Sequence, residues 1–133
     1  MQCIIVTPER TIYDQQADFV ALTLFDGEIG IAPGHTPMIG RLGYGEMRIT
    51  TEEGIDCYYV EGGFVEVLGD VVSVLTQRAI PAPAIDEAVV REQFFTARAA
   101  KAHTPEAMAV RDRSVQQSRA QLLVARRARE EGS

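Results

Sequence analysis

The sequence predicts an α+β protein in which an antiparallel β-sandwich or flattened barrel, residues 1–80, precedes a two-helix C-terminal domain, residues 86–133. In the first part, short strand-like segments are separated by turn signals about every ten residues, which is typical of sandwiches and small barrels. Residues 81–85 then form a Pro/Ala linker. Beyond it alanine becomes frequent and apolar residues recur at helical spacing.

Six segments of the first part have the composition of β-strands, with alternating or continuous apolar residues. They are residues 3–6, 19–24, 46–50, 57–60, 64–68 and 71–75. Gly69-Asp70 predicts a tight hairpin between the last two. Gly62-Gly63 interrupts a strand-like run and predicts a bulge or a close backbone approach.

Two helices are predicted after the linker. The first covers 86–102, where small and apolar residues follow one stripe. Thr104 is a suitable N-cap and Pro105 a suitable first residue for the second helix, which we expect to end near residue 129. A narrow seam predicts that this helix packs along a single neighbour. The seam consists of Met108, Val115 and Leu122.

The net charge of −6 conceals a division of charge along the chain. Residues 1–85 carry −8, whereas residues 86–133 carry +2 and include six arginines between positions 107 and 129. The acidic first part argues against a nucleic-acid binder, whose basic surface would dominate the domain. The basic last helix leaves open a contact with an acidic protein surface.

The sequence contains no recognisable catalytic site. His35 and His103 lie in different parts of the chain, and no nucleophile motif or glycine-rich phosphate loop is present. Cys3 and Cys57 are too few for a disulfide framework, so we expect reduced, buried thiols of a cytoplasmic protein. No membrane-spanning run or signal peptide is expected either. The sequence therefore predicts no catalytic residue, no metal and no cofactor.

The most informative segment is 26–37, in which three glycines and two prolines predict a long, conformationally defined loop. Loops of this kind on a β scaffold often carry binding functions. Residues 27–37 resemble the Gly-Glu-φ-Gly-φ-x-Pro-Gly-His-x-Pro motif of the epsilon subunit of F-type ATP synthase, where φ is apolar. Residues 62–67 resemble the Gly-Gly-φ-φ-Glu-Val strand of the same family. Residues 86–131 resemble the family mainly in their predicted structure, a two-helix hairpin, and less in their sequence.

The resemblance implies a β-sandwich of about ten strands followed by an αα-hairpin. It implies a non-catalytic subunit of the rotating central stalk, which joins the gamma subunit to the c-ring and couples proton- or sodium-driven rotation to ATP synthesis. It also implies that the hairpin contacts the alpha/beta catalytic subunits. The implied location is peripheral, on the cytoplasmic side of the cell inner membrane.

The sequence is also compatible with two other functions. The chain could be a free-standing regulatory nucleotide-binding module that holds ATP between the two helices. It could also be an enzyme of jelly-roll type that uses His35, although one histidine leaves a metal ligand set incomplete.

The resemblance also implies particular contact residues. In the family, the loop that holds the glycine-rich motif faces the c-ring, which implies ring contacts by Glu28, His35, Thr36 and Met38. Family members can also raise the hairpin so that its charged helix meets an acidic segment of the catalytic beta subunit and inhibits ATP hydrolysis. The arginines implied in that contact are Arg111, Arg113, Arg119, Arg126, Arg127 and Arg129.

The resemblance implies a nucleotide site in which part of the family's ATP-binding motif has been lost. ATP-binding members carry Ile/Leu-Asp-x-x-Arg-Ala at the start of the first helix and two arginines one turn apart on the second. Here Ile85-Asp86 is present, but Val89-Val90 replaces the Arg-Ala pair. Arg126 occupies the first arginine position and Glu130 the second. Because phosphates must be paired with cations when they leave water, we expect weak or absent ATP binding.

Overall fold

The structure, a computed structural model, describes residues 1–131. Ten strands form the first part of the chain: β1 Gln2–Val6, β2 Thr11–Gln16, β3 Phe19–Leu24, β4 Gly27–Ile31, β5 Met38–Arg41, β6 Tyr44–Thr51, β7 Gly54–Glu61, β8 Phe64–Leu68, β9 Val71–Leu75 and β10 Ala79–Pro81. One turn of 3-10 helix, Ala82–Ala84, precedes α1, Glu87–Ala99, and α2, Pro105–Glu131. The chain divides into two compact units, Met1–Pro81 and a second that begins at Ala82.

The strands form two five-stranded sheets. The first sheet has the order β2-β1-β9-β8-β5 and the second the order β10-β7-β6-β3-β4. Neighbouring strands are antiparallel except β1 and β9, which run parallel with Gln2 opposite Val71. The predicted ten-stranded sandwich followed by a helical pair is confirmed.

The core lies between the inner faces of the two sheets. Alternate residues of β1, β3, β6, β8 and β9 point inward, which is the period-two pattern of a half-buried strand. The buried residues of the first sheet include Ile5, Val65, Val67, Val72 and Val74, and those of the second include Val20, Leu22, Met47 and Ile49. Each such side chain contributes about 1.5–3 kcal/mol on burial, so this cluster holds the unit together without a disulfide.

One polar contact also ties the two sheets together. The hydroxyl of Tyr13, on β2, donates a hydrogen bond to Oδ2 of Asp56, on β7, at 2.8 Å. Burial and this carboxylate raise the pKa of Tyr13, so the hydroxyl keeps its proton. Cys3 is fully buried, and burial above all raises the pKa of its thiol to about 12. This thiol is therefore protonated and inert, as is usual for a buried cysteine. Cys57 is only half-buried, so the expectation of burial is wrong for that thiol.

The segment predicted as a continuous loop contains a strand. Residues 27–31 form β4, with Ile29 opposite Leu22 and Ile31 opposite Val20, so the loop prediction is wrong for these residues. Pairing with β3 and burial of Ile31 outweigh the low strand propensity of the glycines. The loop itself is limited to residues 32–37.

The first helix is shorter than predicted and the second begins where predicted. Oδ1 of Asp86 accepts hydrogen bonds from the amides of Ala88 and Val89 at 3.0 and 3.2 Å, so Asp86 is the N-cap of α1. α1 ends at Ala99, and Ala100 is already extended. Thr104 caps α2 through its hydroxyl, which accepts from the amide of Ala107 at 3.1 Å.

The hairpin is unequal in length. α1 has 13 residues and α2 has 27. Glu87, at the start of α1, contacts Arg129, and Phe94 lies beside Arg119. Because the two helices run antiparallel, these two contacts place Ala99 opposite a residue of α2 between about 114 and 117. The first three turns of α2 thus project beyond α1, and every side chain from Pro105 to Val110 is exposed.

The Gly62-Gly63 pair is a close backbone approach. The backbone of Gly63 has φ +96°, and a Cβ there would overlap the carbonyl oxygen of Leu75. Its own carbonyl accepts from the amide of Leu42 at 2.9 Å, and the amide of Gly62 donates to Gly43 at 3.1 Å. The expectation from the sequence is confirmed.

Replacing Gly63 by alanine should destabilise the chain by about 2–4 kcal/mol, because the left-handed backbone and the overlap with Leu75 both disfavour a side chain. Gly69→Ala is the matched control. Gly69 also has positive φ, +60°, but nothing lies within 4 Å of its Cβ position, so the expected loss is only about 1 kcal/mol. Urea unfolding of both variants measures the difference, and equal losses would contradict this account.

Candidate interaction surfaces

The loop at residues 32–37 is held by its own backbone. The amide of His35 donates to the carbonyl of Ala32 at 3.1 Å, and Gly34 takes φ +84°. Nδ1 of His35 lies 2.7 Å from the carbonyl oxygen of Thr36. A carbonyl oxygen only accepts, so Nδ1 carries the proton and Nε2 of a neutral ring remains as an acceptor. The loop is therefore shaped, with Thr36 exposed and His35 half-buried.

The four residues implied in ring contact do not form one cluster. His35, Thr36 and Met38 follow one another between the loop and the start of β5. Glu28 is exposed but lies in β4, opposite Thr23 on β3. Three residues of strand, about 10 Å, separate it from the end of β4 at Ile31. The structure thus groups three of these residues and sets Glu28 apart.

A second surface was not predicted. Four large apolar side chains point outward from the first sheet, each more than half exposed: Ile39 72%, Leu68 61%, Phe64 54% and Leu75 52%. Phe64 lies opposite Leu75 in the β8–β9 ladder. Ile39 lies opposite Glu66, the outward residue between Phe64 and Leu68. We call these four residues the outer apolar face.

The signal for this face is present in residues 64–68. In Phe-Val-Glu-Val-Leu, both alternating sets contain apolar residues, whereas a strand with one solvated face normally alternates apolar with polar. A strand apolar on both faces is buried on one side by the core and available on the other for a partner. Soluble proteins rarely leave such patches uncovered without a function.

Side chains with catalytic potential remain apart. His35 and His103 occupy different units, and Cys57 is half-buried on β7. Among residues 1–131, no group of three His, Cys, Asp or Glu side chains is arranged to hold a metal.

The six arginines implied in catalytic-subunit contact all lie on α2 and differ in their surroundings. Arg129 donates to Oε2 of Glu87 at 3.1 Å, and Arg111 to Oδ1 of Asp112 at 3.2 Å. The guanidinium of Arg119 lies over the Phe94 ring, 5.8 Å from its centroid. Arg126 lines a cavity between the helices, Arg113 is exposed, and Arg127 has an interaction partner.

The cavity between α1 and α2 has a volume of about 280 Å³. We call it the interhelical groove. It is lined by Arg91, Phe94, Phe95, Arg119, Leu122, Leu123 and Arg126. Its floor is apolar and guanidinium groups surround it, so its chemistry suits an anionic, partly apolar partner.

The implied nucleotide residues are not brought together. Of Ile85, Asp86 and Arg126, only Arg126 lines the groove. Asp86 uses its carboxylate to cap α1. Val89 lies about 200° around the helix axis from Arg91, so it faces away from the groove.

Within the described residues, no helix combines the length and the apolarity that a membrane span requires.

Residues 1–82 match the sequence profile of the ATP synthase delta/epsilon chain β-sandwich domain. The ATP synthase epsilon chain of Rhodopirellula baltica is 47% identical over 126 residues, covering 95% of this chain and 98% of that protein. The epsilon chain of Stenotrophomonas maltophilia strain K279a is 40% identical over 125 residues, covering 93% and 88%.

Solved structures agree on the fold. A chain of the Euglena gracilis mitochondrial ATP synthase OSCP/F1/c-ring assembly superposes with a TM-score of 0.81 at 22% identity, covering 89% of this chain and 76% of that one. A chain of the Tetrahymena thermophila mitochondrial ATP synthase central stalk and c-ring gives a TM-score of 0.68 at 14% identity, covering 94% and 96%. The similarity to these relatives extends over both the sandwich and the hairpin. The chain therefore belongs to the ATP synthase epsilon-chain family, whose members are non-catalytic subunits of that complex.

Proposed function

We propose that the chain is the central-stalk subunit that joins the gamma subunit to the c-ring in a rotary, proton-driven ATP synthase. The observation that most supports this role is the outer apolar face, which gives a family member without catalytic groups a surface for a permanent partner. The solved relatives belong to central-stalk and c-ring assemblies, which supports the same role. The reading as a free-standing nucleotide-binding module is not favoured by these comparisons.

The gamma subunit is the partner proposed for the outer apolar face. A stable, long-lived interface needs an apolar centre with a polar rim. Phe64, Leu68, Leu75 and Ile39 supply the centre, and Arg41 and Glu66 on the same face supply polar positions. Such a face transmits torque only while it remains docked, so continuous apolar burial suits it better than isolated ion pairs.

The c-ring is the partner proposed for the loop at residues 32–37 and for Glu28. Ring loops are polar, and this part of the chain offers the exposed carboxylate of Glu28, the hydroxyl of Thr36 and the Nε2 acceptor of His35. Since Glu28 stands apart from the loop, the proposed contact extends along β4. The complex that contains the chain is membrane-associated, and we place this subunit peripherally on the cytoplasmic side of the inner membrane.

The hairpin is proposed to inhibit ATP hydrolysis by meeting an acidic segment of the alpha/beta catalytic subunits. Six arginines on one helix supply the charge. Single surface ion pairs contribute only about 0–1 kcal/mol, so several must act together, and salt should weaken them. In the structure Arg129 and Arg119 contact α1. These arginines would therefore have to exchange a contact within the hairpin for one with the catalytic subunits.

Cysteine cross-linking in the assembled complex tests the two contact surfaces. In a chain with Cys57 replaced by serine, Leu68→Cys should cross-link to the gamma subunit, whereas Glu28→Cys and His35→Cys should cross-link to cysteines in the ring loops. Ile55→Cys is the control, because Ile55 is also an exposed strand residue, 52%, but lies on the second sheet. Cross-links from positions 28 and 35 to catalytic subunits alone would refute the proposed ring contact.

Deleting the residues after Pro83 should raise ATP hydrolysis by the assembled complex several-fold while assembly is preserved, because the first unit has its own core. The full-length complex should approach the same rate as salt is added. Lys101→Glu, which changes a charge outside the arginine set, is the matched control and should hydrolyse ATP like the parent. Equal hydrolysis by the deleted and full-length complexes at every salt concentration would show that the hairpin does not inhibit.

The isolated chain should bind ATP weakly or not at all. Val89 offers no cation, Asp86 is committed to the helix cap, and Glu130 occupies the position of the second arginine of ATP-binding members. Calorimetric titration with ATP and Mg²⁺ measures this directly. A dissociation constant in the micromolar range or tighter that is abolished by Arg126→Ala would contradict the prediction.

A further inference from the structure

The four residues of the outer apolar face surround a carboxylate. Glu66 is the central outward residue of β8, and two of the four, Phe64 and Leu68, are its neighbours along the strand. Across the ladders it lies opposite Ile39 of β5 and diagonally from Leu75 of β9. Outward neighbours in a sheet have Cβ atoms about 5–8 Å apart. This acidic side chain therefore lies in the middle of the face.

The carboxylate of Glu66 is exposed and has no partner of its own. In the part of the chain that the structure describes, no cation lies within ion-pair distance of it and no donor hydrogen-bonds to it. A cation does lie on the same face, since Arg41 is opposite Phe64. Its guanidinium, however, lies over the ring of Phe25 in the β3–β4 turn, 5.8 Å from the ring centroid. In the free chain, solvent is therefore what stabilises the Glu66 carboxylate.

Docking on the outer apolar face would remove that solvent. Covering an ionised carboxylate with apolar groups is strongly unfavourable unless a cation or several hydrogen-bond donors replace the lost water. The chain itself offers one hydroxyl, because Ser73 of β9 lies opposite Glu66. A hydroxyl donates a single hydrogen bond, whereas a carboxylate has about four acceptor sites. The partner must therefore supply the missing counter-charge.

A basic side chain complements both the charge and its apolar surroundings. Hydrogen bonds between a cation and a carboxylate are stronger than those between neutral groups. The methylene stem of an arginine or a lysine can pack on apolar side chains while its head reaches the acid. Arginine suits the position best, because its planar guanidinium binds a carboxylate through two hydrogen bonds and is less strongly hydrated than an ammonium group.

We infer that the partner of the outer apolar face places a cationic side chain, an arginine or a lysine, over Glu66, and that this pair sets the register in which the two surfaces dock. The inference rests on the proposed function for the identity of that partner, the gamma subunit. It adds a requirement for specificity, because an apolar surface without a cation at its centre would leave the carboxylate desolvated and unpaired.

Two other accounts of Glu66 predict different results. If the carboxylate only prevents aggregation of an apolar strand, then Glu66→Leu should strengthen docking, because it extends the apolar contact. If the face instead packs on a second copy of the chain, Arg41 of one copy would be the cation that meets Glu66 of the other.

Affinity for the gamma subunit tests the pair. The full-length chain is titrated into a subcomplex of alpha, beta and gamma subunits prepared without it. Glu66→Gln nearly keeps the size of the side chain but removes its charge, and should weaken binding about 30-fold or more because the partner's cation loses its counter-charge. Glu66→Leu should weaken binding at least as much, although it enlarges the apolar face. Glu53→Gln and Glu53→Leu change an exposed carboxylate in the β6–β7 turn of the second sheet and should bind like the parent.

Charge exchange identifies the partner residue. Glu66→Lys should abolish binding, and replacing one arginine or lysine of the gamma subunit by glutamate should restore it. Failure of every such replacement, unchanged affinity of Glu66→Gln, or tighter binding of Glu66→Leu would each overturn the inference. Self-association of the isolated chain that is lost in both Glu66→Gln and Arg41→Gln would assign the face to a second copy and overturn it as well.

The outcome is separable from that of the proposed function and from an effect on folding. Leu68→Ser removes an apolar group of the same face without changing its charge. Weaker binding of Leu68→Ser with unchanged binding of the Glu66 variants would keep the docking face and overturn the cation at its centre. Unchanged binding of all these variants would overturn the proposed gamma contact itself. Because Glu66 is exposed and unpaired, its variants should unfold at nearly the same urea concentration as the parent.

Discussion

The first unit depends on the point where the chain changes sheets at Gly62-Gly63. β7 ends in the second sheet at Glu61 and β8 begins in the first sheet at Phe64, so two residues in left-handed backbone conformations make the whole crossing. This crossing fixes which residues of β8 point inward. A slip of one residue would bury Phe64 and Leu68 and expose Val65 and Val67, exchanging the core with the outer apolar face.

The sequence predicts best the elements whose own residues determine their structure. β8, β9 and their hairpin have strong alternation and a Gly-Asp turn, and Thr104-Pro105 marks the start of α2. β4 escapes prediction because its glycines form a strand only when β3 pairs with them. The ring residues come from a motif resemblance, whereas the outer apolar face requires knowing which alternate residues face the core. The arginines of the two helices are visible in the sequence, but only the structure shows that Arg91, Arg119 and Arg126 line one groove.

The hairpin has more positive charge than its own acidic groups neutralise. Glu87 serves both Arg91 and Arg129, and Phe94 serves as a π surface for two guanidinium groups. These contacts are exposed and individually weak. These contacts hold the arginines against α1 with little stabilisation. Replacing one of them by a similar contact with another protein therefore changes the free energy little. A balance of this kind suits a contact that must form and break repeatedly.

The unequal lengths of the two helices have a thermodynamic consequence. The stretch of α2 that projects beyond α1 is about as long as the shortest helices that persist alone in water, and its side chains from Pro105 to Val110 gain nothing from burial. Its helicity depends on propagation from the packed half of α2, so it should lengthen or fray with temperature while the rest stays folded. Any partner that binds this tip must therefore offset the conformational entropy that is lost when the first turns of α2 become fixed.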